Sequence, residues 1–264
     1  MSTPIALAIF DIDGVVRDVS GSYRRAIADT VEHFTQGNYR PTPTDIDQLK
    51  SEGIWNNDWQ ASQELVNRHS KASGNTFNTD YDAIVTYFQE RYRGTGEDPS
   101  QWTGYITQEP VLMSAHYLAS LAQAGIPSAF FSGATRGSAN YILQQRIGLT
   151  NPILIAMNDA PSKPDPTGLY MTIQQLETTV TPGLPVLYVG DTVADMATVQ
   201  AAQAQFPKRL WLSIGVLPPH VQTDQTYQER YSKTLQDTGA DLVISHIEQL
   251  TSKKIQELIL SKSN

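Results

Sequence analysis

The 264-residue chain contains no cysteine. Disulfides and thiolate metal sites are therefore excluded, which suits a cytoplasmic protein. Positive charge is in the minority, with 19 Lys and Arg against 27 Asp and Glu, a net charge of −8. No basic run occurs, so nucleic acid is not an expected partner. An acidic chain that handles anions needs a local positive device, such as a metal ion or a lysine. Long hydrophobic runs are missing too: none approaches the ~18 residues of a membrane span. The opening stretch PIALAIF has no basic flank and ends in Asp11, so it does not read as a signal segment. No membrane partner is expected. Internal repeats and low-complexity tracts are absent. With 40% apolar residues the chain can bury a sizeable core, as one large domain or two small ones.

Six short apolar runs have strand character: residues 5–10, 127–132, 152–157, 185–190, 209–215 and 240–245. Each is bounded by Pro, Gly, Asp or Ser, which favours strand over buried helix. Helical patterns occupy 112–125, 136–148, 167–177, 193–205 and 247–260. This alternation predicts right-handed βαβ units: an α/β fold with a parallel sheet and helices on both faces. Residues 218–229 are polar and read as a surface loop with His220 exposed. Residues 19–110 differ, with four helical segments and no convincing strand. They read as an α-helical domain inserted after the first strand, between 1–18 and 111–264, with Asp18 a candidate cap for its first helix.

The stretch IFDIDG puts Asp11 and Asp13 on alternate residues just past the first strand. Neighbouring carboxylates repel, and burial disfavours both charges. A cation, a shared proton or a lysine must compensate. Ligands of a parallel sheet bind beyond the C-terminal ends of its strands. Beyond the second strand come Ser132, Gly133, Ala134 and Thr135. Beyond the third comes NDAPSKPDP with Lys163, and beyond the fourth GDTVAD with Asp191 and Asp195. Four carboxylates, a hydroxyl and a lysine thus collect on one edge. Carboxylate oxygens without His or Cys suit Mg²⁺. The plainer readings are a helix cap and a turn residue for Asp11 and Asp13, a helix cap for Ser132, a first-turn position favoured by the helix dipole for Asp195, and surface positions for Lys163, Arg17 and Arg136.

Taken together, DIDGVVRD, FFSGATR, SKPDP and GDTVAD resemble, in order, the four motifs of the haloacid dehalogenase superfamily. The subgroup is the phosphoglycolate phosphatase-like one, with a helical cap after the first motif. The resemblance implies a Rossmann-like core, a cap domain and a Mg²⁺-dependent phosphatase working through an aspartyl-phosphate. It implies Asp11 as nucleophile, Asp13 as general acid and base, and Lys163 as the charge between nucleophile and phosphate. Ser132, Gly133 and Ala134 would hold phosphoryl oxygens. Asp11, the main-chain carbonyl of Asp13, and Asp191 would hold Mg²⁺, with Asp195 acting through water.

Dehalogenation needs neither the second aspartate nor a metal, so Asp13, Asp191 and Asp195 argue against it. A phosphomutase and a non-catalytic phosphate-binding module are the alternatives. The expected substrate is a small phosphorylated metabolite; phosphoglycolate, sugar phosphates and amino-alcohol phosphates such as histidinol phosphate are candidates. In the inserted domain, GIWNNDWQ (53–60) sets Asn56, Asn57 and Asp58 between Trp55 and Trp59. These polar residues are candidate substrate-binding groups, with the indoles as packing. A monomer or homodimer is expected.

Overall fold

A computed structural model describes residues 2–55, 57–77 and 79–263. Asn56 lies outside the described residues. The chain divides into two compact units, Met1–Asp18 with Val111–Asn264, and Val19–Pro110.

The first unit is built on a six-stranded parallel sheet. Its strands are β1 (Leu7–Phe10), β2 (Ser128–Phe131), β3 (Leu154–Ile155), β4 (Val186–Gly190), β5 (Trp211–Val216) and β6 (Leu242–Ile244). Their order is β3-β2-β1-β4-β5-β6. All six expected strands are present; each starts later than expected, and β5 runs one residue further, to Val216. β1 shows why these runs are almost wholly apolar. Ala8 and Phe10 join one core with Tyr117, Leu121, Ala139 and Ile255. Leu7 and Ile9 join another with Leu169, Ile173, Val199 and Ala202. Alternate side chains therefore enter separate cores, and a central parallel strand is buried on both faces.

The helices carrying those residues are α5 (Ala115–Gln123), α6 (Arg136–Asn140) and α10 (Ser252–Ser263) for the first core, and α7 (Thr167–Glu177) and α8 (Val193–Gln205) for the second. The expected helix at 136–148 begins as α6 and continues as a wider π turn, Tyr141–Arg146. Residues 218–229 are not a loop. A 3₁₀ turn at Pro219–Thr223, in which His220 is half-buried, leads into a helix, α9 (Gln225–Asp237). α9 fully buries only Leu235, but Tyr227, Tyr231 and Leu235 recur at four-residue spacing, a narrow helical stripe that the polar residues around it masked. A second local signal is Asp224, whose carboxylate accepts the Tyr227 N–H at 2.7 Å and caps the first turn.

The second unit is helical: α1 (Tyr23–Phe34), α2 (Pro43–Lys50), α3 (Asp58–Ser73) and α4 (Tyr81–Tyr92). α1 buries Ala26, Ile27 and Val31 on one stripe, and Tyr23 stacks on Tyr92 of α4 with ring centroids 4.2 Å apart. Thr42 and Asp45 cap α2 reciprocally, with Pro43 at its first position. Asp18 does not cap α1. The residue at that position is Ser22, which makes no side-chain cap bond.

Candidate active site

The strand order reverses direction at β1, whose neighbours β2 and β4 continue the sheet on opposite sides. A crevice opens at such a switch point because the connections leave the two strand ends toward opposite faces. Phe10 is paired with Val189, so Asp11 emerges level with Gly190 and one residue short of Asp191. The Asp11 N–H donates to Val189 O at 2.8 Å, continuing the ladder past the end of β1. The Asp11 carboxylate folds back to accept the Ile12 N–H at 2.7 Å.

Asp11, Asp191 and Asp195 each bring a carboxylate oxygen into one cluster, all within 4.8 Å of one another. Asp11 and Asp195 are buried, and Asp191 is half-buried. Gly14 makes room for this cluster. Its φ is +76°, and a Cβ there would lie 2.0 Å from Asp191 Oδ2. Glycine is required on both counts. The Asp13 carboxylate is outside this cluster.

Lys163 answers the negative charge. Its Nζ lies 2.6 Å from Asp195 Oδ1 and 3.0 Å from Asp11 Oδ2. The rings of Phe131 and Tyr188 lie 5.2 and 5.4 Å from it. Burial opposes the ammonium charge, but Asp11 and Asp195 outweigh it and raise the Lys163 pKa above its ordinary value. Lys163 is therefore an interior cation, not a surface lysine.

The three aspartates respond differently to that cation. Burial pushes Asp11 up to about 6, against the pull of Lys163. Asp191 is raised well above the carboxylate range, first by burial and then by Asp195 and Asp11. Burial works against the charge of Asp195 as well. There Lys163 and hydrogen bonds from Lys163 and Thr192 win, and its pKa is lowered. Asp195 Oδ1 accepts from Lys163 and from the Tyr188 hydroxyl at 3.0 Å. Its Oδ2 accepts the Thr192 N–H at 3.0 Å and the Thr192 hydroxyl at 2.6 Å. Asp195 is thus both the capping-box partner of Thr192 at the start of α8 and the anchor of Lys163.

At the end of β2, Ser132 is buried and its Oγ accepts the Ala134 N–H at 3.2 Å. Gly133 is exposed at the tip of this turn, and Ala134 is buried. Thr135, not Ser132, caps α6. Arg136 is half-exposed and paired with Asp159.

Two contributors lie outside the motifs, and a third, Arg17, lies within the first but read there as a surface position. Tyr188 reaches the cluster from within β4, where it reads as one more apolar strand residue. Tyr231 of α9 donates its hydroxyl to Asp191 O at 3.0 Å. Arg17, ambiguous in sequence, is fully buried, and its Nε lies 2.6 Å from Asp13 Oδ1. In the helical unit, Asn57 is the N-cap of α3, accepting the Trp59 and Gln60 N–H groups at 2.9 and 3.3 Å. Asp58 accepts from Lys50 Nζ at 2.6 Å. Trp55 and Trp59 are half-buried.

Residues 5–203 match the family model of the haloacid dehalogenase-like hydrolases. The chain belongs to this family. It is 28% identical over 254 residues to an imidazoleglycerol-phosphate dehydratase of Phytophthora nicotianae, covering 93% of this chain and 51% of that protein. The chain therefore spans about half the length of that curated relative. A phosphonoacetaldehyde hydrolase-like protein of Oleispira antarctica superposes with a TM-score of 0.68 at 17% identity, covering 97% of this chain and 92% of the other. A hydrolase of the same family from Deinococcus radiodurans, solved with bound phosphate and sodium, has a TM-score of 0.64 at 19% identity, and 98% of each chain is covered. At these identities the two structures establish the shared fold. No helix among the described residues is long and apolar enough to cross a membrane.

Proposed function

We propose that the protein is a Mg²⁺-dependent phosphatase that hydrolyses a small phosphorylated metabolite through an aspartyl-phosphate on Asp11. The observation that carries this reading is the buried Asp11 carboxylate at the end of β1, 3.0 Å from the Lys163 ammonium and within one cluster with Asp191 and Asp195. A carboxylate suits attack on phosphorus because its acyl-phosphate product is readily hydrolysed. Lys163 draws charge from both Asp11 and the arriving phosphate. Asp13 protonates the leaving oxygen and later takes a proton from the attacking water. Ser132, Gly133 and Ala134 supply the turn that receives phosphoryl oxygens.

The residues fit a hard divalent cation. One lysine faces three clustered carboxylates, and Asp191 is held well above its ordinary pKa, as expected of a buried carboxylate short of positive charge. Asp11, Asp191 and the main-chain carbonyl of Asp13 would hold Mg²⁺, with Asp195, whose oxygens already take four donors, reaching it through water. When bound, the ion shields the negative charges as carboxylate and phosphate approach.

The 19–110 unit would be the cap that selects the substrate, since the groups named above all serve the phosphoryl group. Asn57 and Asp58 have local duties in α3, so any part in recognition is additional to them. The name of the Phytophthora relative makes phosphate monoesters bearing an imidazole the first compounds to screen. The test is Mg²⁺-dependent release of phosphate from an aryl phosphate and from a panel of phosphorylated metabolites, wild type beside Asp11→Asn. Turnover that persists in Asp11→Asn, or in EDTA, rejects the reading.

A further inference from the structure

Arg17 is among the largest side chains in the molecule with no solvent exposure. A guanidinium stays charged at every pH a protein meets, so burying one is costly unless it is paired. Its Nε lies 2.6 Å from Asp13 Oδ1, and Nη1 reaches Ser138 O at 3.4 Å. The Asp13 side chain is itself 26% exposed while Arg17 is wholly enclosed. The pair thus runs from the interior to the open edge of the site.

The backbone around Arg17 is fastened as well. Arg17 O accepts the Gly14 N–H at 2.9 Å, and Arg17 N–H donates to Ile12 O at 3.2 Å. Residues 13 and 17 form an isolated bridge, and residue 17 forms another with Val111. The Ser138 carbonyl comes from α6, which packs into the core under β1. Arg17 therefore cannot shift without moving a closed turn and a helix. An exposed aspartate would otherwise sample several rotamers, at a cost in every productive encounter.

We infer that Arg17 is a positioning residue: it clamps Asp13 through Oδ1, so that Oδ2 is the atom that gives and takes the proton. This rests on the reading of Asp13 as the acid and base of a phosphatase. In the first step the proton on Oδ2 passes to the leaving oxygen as the bond from phosphorus to that oxygen breaks and the Asp11–phosphorus bond forms. In the second, water bonds to phosphorus, its proton returns to Oδ2, and the Asp11–phosphorus bond breaks. Arg17 touches neither substrate nor phosphorus in this scheme. Its contribution is to hold one carboxylate oxygen still.

A clamp and a purely structural arginine predict different kinetics. Aryl phosphates have leaving groups that need no proton, whereas alkyl phosphates need Asp13. Arg17→Met keeps the volume and removes the charge. It is expected to lower kcat for an alkyl phosphate ~10²-fold, the scale of a catalytic group misplaced by about 1 Å. The aryl substrate should lose several-fold at most, with KM nearly unchanged for both. Arg17→Lys keeps the charge and should recover part of the alkyl loss. Asp13→Asn is measured alongside, and Arg17→Met in its background should add little. If Asp13→Asn shows no alkyl-selective loss, the reading of Asp13 fails and the clamp with it. If Asp13→Asn is selective but Arg17→Met and Arg17→Lys reduce both substrates equally, or neither, the clamp alone is overturned. Should Arg17→Met not fold, Arg17→Lys decides: an alkyl-selective loss supports the clamp, and an equal loss or none rejects it.

Discussion

Both units of this chain carry surface ion pairs, but the sheet unit also encloses a charged network. In the sheet unit Asp11, Arg17, Lys163 and Asp195 are all buried, and three of the four belong to a single network. In the helical unit most ion pairs lie toward solvent. Arg40 meets Asp29 and Glu32, and Arg68 meets Glu52 and Glu64, with both arginines more than two-fifths exposed. Among its described residues Glu109 is buried, and it accepts a hydrogen bond from Ser22. Surface pairs contribute little because water and salt screen them. Enclosed pairs are held at a desolvation cost, and chemistry needs what that cost secures: strong local fields and fixed geometry. The helical unit is instead held by aromatic and aliphatic packing, such as the stack of Tyr23 on Tyr92.

The sharpest break between the units should come from replacing one charge in each. Asp11→Asn should lower kcat at least ~10³-fold on any phosphate ester, since an amide cannot form the acyl-phosphate. The far-ultraviolet circular dichroism should be unchanged. A variant that keeps more than a few per cent of wild-type kcat would remove Asp11 as nucleophile.

Stability should separate the units next. Lys163→Met leaves Asp11 and Asp195 enclosed without their cation, and should cost about 3–5 kcal/mol in urea unfolding. Lys50→Met removes the Asp58 partner in the helical unit and should cost no more than ~1 kcal/mol. Equal losses would mean that burial of the Lys163 network is energetically unimportant.

Metal and pH should move the sheet unit alone. Mg²⁺ at about a hundred times its Kd should stabilise it by ~2.7 kcal/mol, read as a rise in Tm, and Asp191→Asn should abolish that rise. Without metal, the pH response follows from the raised Asp11 pKa. Because the folded value, about 6, exceeds the ordinary carboxylate value of 3.8, the folded state holds more protons between them. The Asp11 contribution is thus present below 3.8 and lost as pH rises through 6. Asp195 has the opposite sign, its contribution being lost as pH falls through its lowered value. Relative to wild type, Asp11→Asn should therefore become progressively more stable from pH 4 to pH 7 in metal-free urea melts. A constant difference would refute the raised pKa.

The smallest effect is expected at α3. Asn57→Ala should cost ~1 kcal/mol, the usual worth of an N-cap. Its ratio of kcat/KM for the true substrate over a small generic phosphate then reports any recognition role. An unchanged ratio leaves Asn57 as a cap and nothing more.

Much of this was legible from local pattern. The six strands are short apolar runs with Gly, Pro, Asp or Ser at their ends, and α7 and α8 follow their 3–4 periodicity residue for residue. The positions of Asp11, Ser132, Lys163 and Asp191 follow once parallel strands are inferred, because all their C-terminal ends lie on one edge. α9 escaped because its stripe, Tyr227, Tyr231 and Leu235, is narrow and set among polar residues that read as a loop. Nothing in TDIDQLK or NNDWQ announces that Asp58 would find Lys50, or that Asn57 would turn its oxygen to the α3 backbone.

Sequence alone determined which residue types stand at the strand ends, since those depend on chain order and a period of two. Only the tertiary structure decided how the carboxylates divide their roles. Asp11, Asp191 and Asp195 are chemically the same group. Lys163 from the loop after β3, Tyr188 from within β4 and Thr192 from the cap of α8 converge on Asp195 and make it the anchor. Asp191 receives no such donors and keeps a need for positive charge. Asp13 is drawn to Arg17, four residues on in the same turn, whose guanidinium also reaches the Ser138 carbonyl 121 positions away. Distances in space, not along the chain, set the Coulomb energy and the access of water, and these are fixed only when the sheet has formed.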